Sequence, residues 1–262
     1  MQAKVWAQFD AAGPLIGREW PIRYRGSDQE RVEQLRALGV RRFSALSYAH
    51  RPGMAEWLND WAAGFAADVP ECLRSATFFP EPGVEEYVAA RLADGVDVFK
   101  VHVQVGGFDL RDAALDAVWG LLAEAGTPIV IHAGSGPVPT PYTGPAPLLG
   151  VLEKHPALTA VVAHMGAPEY EPFLAMAERF PRTHLDTTMA FVSFFEAEAP
   201  YPRSLMPRVR DLGLAGKVLL GTDFPAIPYP YAHQLEVLEG LNLGEEWLQA
   251  VCWENGRRLV GA

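Results

Sequence analysis

The stretch VDVFKVHVQVGGFDLRDAALDAVWGLLAEAGTPIVIHA, residues 96–133, decides the fold. It opens with an apolar run, VDVFKVHV, passes through an amphipathic segment closed by Gly126, and ends in a second apolar run, TPIVIHA. Strand, helix, strand in this order requires the two strands to lie parallel with a right-handed crossover between them.

The same unit recurs on both sides. Upstream, SDQERVEQLRALG (27–39) reads as a helix closed by Gly39, with Val32, Leu35 and Leu38 on one stripe. It is followed by the strand VRRFSALSY (40–48), the Trp-rich helix 54–69, the strand CLRSATFF (72–79) and the helix 84–95. Downstream come the helix APLLGVLEKH (146–155), the strand LTAVVAH (158–164), the helix 168–180 and the strand THLDTT (183–188). A helix near 203–214, the strand KVLLGTD (217–223) and two helices either side of Leu243 complete the chain. Seven strands alternating with helices predict an α/β protein of the TIM-type (β/α)8 barrel class with its first strand missing. The 262 residues suit one barrel domain spanning 1–262.

Composition narrows the function. The net charge of −10 and the absence of long Lys/Arg runs argue against nucleic acid as a partner. No stretch reaches the apolar length of a membrane span and no leader pattern opens the chain, so a cytoplasmic location is expected. The two cysteines, Cys72 and Cys252, lack metal or disulfide spacing and read as buried thiols.

Barrels of this class keep their chemistry at the carboxyl ends of the strands, where four of these strands end in polar groups. TPIVIHA ends at His132, LTAVVAH at His164 and KVLLGTD at Asp223, while Lys100 and His102 lie two apart in VDVFKVHV and so share a face. A lone strand-end histidine is most often a hydrogen-bonded structural residue. Two imidazoles and a carboxylate converging from separate strands suit instead a divalent ion with nitrogen and oxygen ligands.

The segments FKVHVQVGGFD, PIVIHAGSGP, VVAHMGAPEY, HLDTTMAF, LLGTDFPAIPYPY and ENGRRL together resemble the amidohydrolase superfamily, in the amidohydrolase-2 group of decarboxylases, hydratases and lactone hydrolases. The resemblance implies a metal-dependent hydrolase of a small carboxylated substrate (a lactone, an amide or a ring-cleavage product), with a non-hydrolytic decarboxylase or a ligand-binding degenerate barrel as alternatives. It also implies one divalent metal, zinc above all, held by His132 and Asp223. Asp223 and His164 would be catalytic, and Lys100 would anchor a substrate anion. His102 and His50, near strand ends, join the substrate-binding candidates. The small-molecule substrate is then the expected partner, alongside a second copy of the chain in a homodimer.

One departure qualifies this picture. The group's first strand ends in a His-x-His pair of metal ligands, and no such pair occurs in the chain. The missing strand and the missing pair are one absence, which makes MQAKVWAQFD the helical segment after that strand. With fewer protein ligands, zinc is expected to be weakly held or absent.

Overall fold

The structure, a computed structural model, describes residues 5–7, 9–11, 13 and 17–261. Residues 5–7 and 9–11 are helical, as expected for the opening stretch, whose remaining residues lie outside the described ones. The first long helix, α1 (Asp28–Ala37), starts at a capping box: Ser27 accepts from the backbone N–H of Glu30, and the Glu30 carboxylate accepts from the backbone of Ser27. Then follow β1 (Phe43–Ser44), α2 (Ala55–Asp68), β2 (Cys72–Leu73), β3 (Ser75–Thr77), α3 (Val84–Ala93), β4 (Val98–His102), α4 (Asp116–Ala125) and β5 (Ile129–His132). The series continues with α5 (Pro145–Lys154), β6 (Ala160–Val162), α6 (Tyr170–Arg179), β7 (Thr183–Asp186), α7 (Met206–Leu214), β8 (Val218–Leu219) and α8 (Tyr231–Gly240), and short helical turns run on to Leu259.

Every strand pair is parallel. The order is β1-β2 in one sheet and β3-β4-β5-β6-β7-β8 in the other, each strand beside its neighbour in sequence. The run expected as one strand over 72–79 is broken at Arg74: Cys72–Leu73 pairs with β1, and Ser75–Thr77 pairs with β4. That one run therefore stitches two sheets into a single seven-run fan, the incomplete barrel that the alternation predicts. Among the described residues no strand precedes Phe43 and no ladder joins β8 to β1.

Strands such as β3 and β6 are buried on both faces because helices cover the outside and side chains fill the inside, the usual state of an all-parallel sheet, while β1 is half-buried. Phe99, Ile129, Ile131, Val162 and Leu185 join Trp119 of α4 and Phe173 of α6 in the main core. A second cluster, built on Leu35, Met189, Val192, Ile227, Tyr229 and Tyr231, fills the side between β8 and β1. The N-terminal segment closes over it: Trp20 Nε1 donates to Ala226 O at 2.8 Å, Arg23 N to Ile227 O at 3.0 Å, and the Tyr24 hydroxyl accepts from Tyr231 N at 2.8 Å. Both cysteines are free, and no described helix is long and apolar enough to cross a membrane.

Candidate active site

Register places the first two imidazoles. Residue for residue, β4 and β5 pair Lys100 with Val130 and His102 with His132. Neighbours in a parallel ladder stand about 4.8 Å apart and point the same way. The rings of His102 and His132 accordingly stack, with centroids 3.8 Å apart and planes 12° from parallel. His164, just past β6, meets His132 edge-on at 4.8 Å. The Tyr48 ring, after β1, lies 4.7 Å from that of His102, tilted by 48°.

Hydrogen bonds fix each ring. A carbonyl can only accept, so His132 Nε2 donates to Gly136 O at 2.9 Å and His164 Nδ1 donates to Thr188 O at 3.1 Å. His102 does the reverse, its Nδ1 accepting from Val105 N at 3.3 Å and capping the short turn Val103–Gly106. His132 Nδ1 is buried with no hydrogen-bond partner among the described residues. Burial first, then the neighbouring His164 and Lys100, holds the His132 pKa well below the usual histidine range. His102 is lowered likewise, by burial and then by His132, Lys100 and His164, so both rings are neutral at pH 7.

Beside them stands Lys100, only 7 % exposed. Burial lowers its pKa, and the carboxylates of Asp223 and Asp186 oppose that shift. Asp223 also faces Tyr48, whose pKa is pushed up to about 12, by burial first, so that the phenol keeps its proton. Asp186, at the end of β7, is a framework residue: its Oδ1 accepts from His164 N and from Thr188 N, both at 3.0 Å.

The loops are held by close contacts that explain two glycine-bearing motifs. A Cβ on Gly134 would lie 2.3 Å from Ala167 O, so the loops after β5 and β6 touch through backbone. A Cβ on Gly221 would lie 2.0 Å from Thr188 Oγ1 and 2.7 Å from Asp186 Oδ1. Glu169 Oε2 pins the loop after β5 through Ser135 N at 3.0 Å. His164 and Asp223 themselves adopt left-handed backbone, with φ of 56° and 53°, each a strain of about 1–3 kcal/mol that surrounding structure must over-determine.

Of the residues singled out from sequence, Lys100, His102, His132, His164 and Asp223 therefore share one end of the fan. His50 stands half-buried after β1, and among the described residues no hydrogen bond or ring contact joins it to the imidazoles. Tyr48 and Asp186 are additions. Asp186 carries the same strand-end signal as Asp223, whereas nothing in the sequence ties Tyr48 to a histidine 54 positions on.

The fit to a metal ion is poorer than the resemblance implies. Among the described residues, no group of three or more His, Cys, Asp or Glu side chains is placed to hold one. Lone pairs lie in the ring plane, so those of the near-parallel His102 and His132 run side by side instead of converging, and that of His102 is already engaged by Val105 N–H. The expected ligand pair, His132 and Asp223, is present at the strand ends without the further donors that zinc requires.

Solved structures share this architecture. A TIM-barrel protein from Bordetella bronchiseptica superposes with a TM-score of 0.79 at 19% identity, covering 98% of this chain and 91% of that one. A 5-carboxyvanillate decarboxylase from Sphingomonas paucimobilis gives 0.62 at 15% identity, over 90% and 83%. A probable 2-pyrone-4,6-dicarboxylic acid hydrolase from Acinetobacter baumannii with citric acid bound gives 0.65 at 11%, over 89% and 88%. These likenesses are of fold, and they include both hydrolases and decarboxylases. No curated protein sequence matches the chain. The sequence profile of the amidohydrolases, however, matches residues 2–262, nearly the whole length, and with the strand-end histidines and aspartate in their expected order the chain belongs to the amidohydrolase-2 family.

Proposed function

We propose that the chain hydrolyses a small carboxylated molecule, a lactone or an amide, at the carboxyl ends of β4 to β8. The observation that supports this reading is Lys100, a lysine buried just below the strand ends among neutral imidazoles, where the nearby carboxylates of Asp223 and Asp186 oppose the fall of its pKa on burial. A substrate carboxylate would supply the counter-charge that such a buried lysine needs.

The family is in general metal-dependent, but the donor set here does not support a step through a metal, so the chemistry is written for the chain's own groups. The substrate carboxylate docks on Lys100. Asp223 takes a proton from water, whose oxygen bonds to the carbonyl carbon; the ring C–O or amide C–N bond breaks, and the leaving atom receives that proton back. His132 Nδ1, an acceptor without a partner, orients the water. The Tyr48 phenol and a protonated ring nitrogen of His102 are donors for the developing oxyanion.

The test is a panel of carboxylated lactones and amides assayed for hydrolysis, with Asp223→Asn as control. Carbon dioxide release without hydrolysis would move the reading to a decarboxylase. Tight binding of panel members with neither product would move it to a barrel that binds without turnover.

A further inference from the structure

We propose that Gln234, a buried amide on α8, is a positioning residue for the strand-end site: it grips the Thr187–Thr188 peptide so that Thr188 O keeps His164 in its Nδ1–H tautomer, with Nε2 left as the acceptor. This rests on the strand ends being the active site, but its test reads the imidazole rather than turnover, so the two ideas fail separately.

Gln234 lies in the first turn of α8 and is fully buried, where an amide is costly unless its ends are bonded. Both ends are: Nε2 donates to Thr187 O at 3.0 Å, and Oε1 accepts from the Tyr229 hydroxyl at 3.2 Å. The amide can face only this way, because the Thr187 carbonyl can only accept. Thr187 O and Thr188 N belong to one planar peptide unit, and its N–H donates to Asp186 Oδ1 at 3.0 Å. Gln234 and Asp186 therefore hold that plane from its two edges. Ala190 N–H is shared between Thr187 O at 3.0 Å and Thr188 O at 2.7 Å, so it does not fix either carbonyl by itself. The next carbonyl along, Thr188 O, accepts from His164 Nδ1 at 3.1 Å, and that bond selects the ring tautomer. The backbone of His164 is tied to the same turn, its N–H reaching Asp186 Oδ1 at 3.0 Å. With Nδ1 protonated, Nε2 is the acceptor, on a ring set edge-on to His132, whose own Nδ1 has no partner among the described residues. Both rings then keep an acceptor for water, and the donor pattern of the site depends on an amide from the helix after β8.

The experiment records two-bond proton–nitrogen correlation spectra of the isotope-labelled full chain at a pH well above the usual histidine range, with the His164 ring identified by its loss in His164→Gln. Wild type is expected to show the Nδ1–H form. Gln234→Leu, similar in volume but without the donor, is expected to shift the tautomer ratio about 2- to 10-fold towards Nε2–H, the worth of one hydrogen bond. Tyr229→Phe removes the bond on the other side of the amide and should leave the ratio unchanged, which separates the grip on Thr187 from a general loosening of the fold. Gln234→Met repeats the comparison if the leucine variant does not fold, as judged by circular dichroism. A wild-type His164 in the Nε2–H form would overturn the proposal, whatever the variants do. So would a folded Gln234→Leu or Gln234→Met with the wild-type ratio, or an equal shift in Tyr229→Phe.

Discussion

Lys100 and Asp223 are the residues on which chemistry is expected to depend most steeply. Replacing Lys100 with Met keeps the buried volume but leaves the substrate carboxylate without an anchor. The ratio kcat/KM is expected to fall by about 10- to 10²-fold, with a rise in KM, since a charge-assisted hydrogen bond to the substrate carboxylate is worth about 1.5–3 kcal/mol. Asp223→Asn should lower kcat with little change in KM, which steady-state kinetics on the best panel substrate would separate. At this scale the sequence was legible where strand parity applies, for Lys100, His102 and His132, whereas His164 and Asp223 reach the same end from left-handed turns beyond their strands. It was silent on tautomers and partners. That His102 spends its lone pair on Val105 depends on a turn that begins one residue later, and the Asp186 bonds to His164 and Thr188 depend on how two loops meet.

Elements set those meetings. The loops after β7 and β8 touch at Gly221, where any side chain would overlap Thr188 and Asp186. Gly221→Ala is expected to destabilise the fold by about 1–3 kcal/mol, read from denaturant midpoints, and to lower activity further by displacing His164 through Asp186. Glu169→Ala removes the acceptor of Ser135 N and should loosen the loop after β5, raising KM several-fold while leaving the thermal midpoint within a few degrees. Helices and strands were readable from periodicity, with α4 and β5 close to their expected limits. The division at Arg74 was not, because a change of ladder partner leaves no mark on the apolar pattern of CLRSATFF.

For the whole molecule, acid is the informative variable. His184, at the opposite end of the strands from the imidazole cluster, donates from Nδ1 to Gly216 O. Burial first, then Lys217, lowers its pKa to about 4 from 6.5. The unfolded chain takes up this proton before the folded one does, so stability is full above pH 6.5 and drains away as pH falls towards 4. The loss is up to about 3 kcal/mol. Urea melts at a series of pH values should show this slope, and His184→Gln, which can still donate to Gly216 O, should flatten it. The order of strands around the fan was legible, since each βα unit places its strand beside the last. How the side between β8 and β1 is covered was not, because aromatic residues from the N-terminus and from the loops after β7 and β8 meet there across most of the chain's length.

That cover gives the amino end a say in catalysis. Trp20 reaches Ala226, and the Tyr24 ring lies 4.7 Å from Phe224, the residue next to Asp223. Fusing a bulky tag close to residue 17, or trimming past Tyr24, would thus be felt at the far carboxylate, as though a hand had been lifted from the rim of a bowl. Expression formats with the appendage at the other terminus should give the more faithful enzyme, a choice that paired assays of the two would justify.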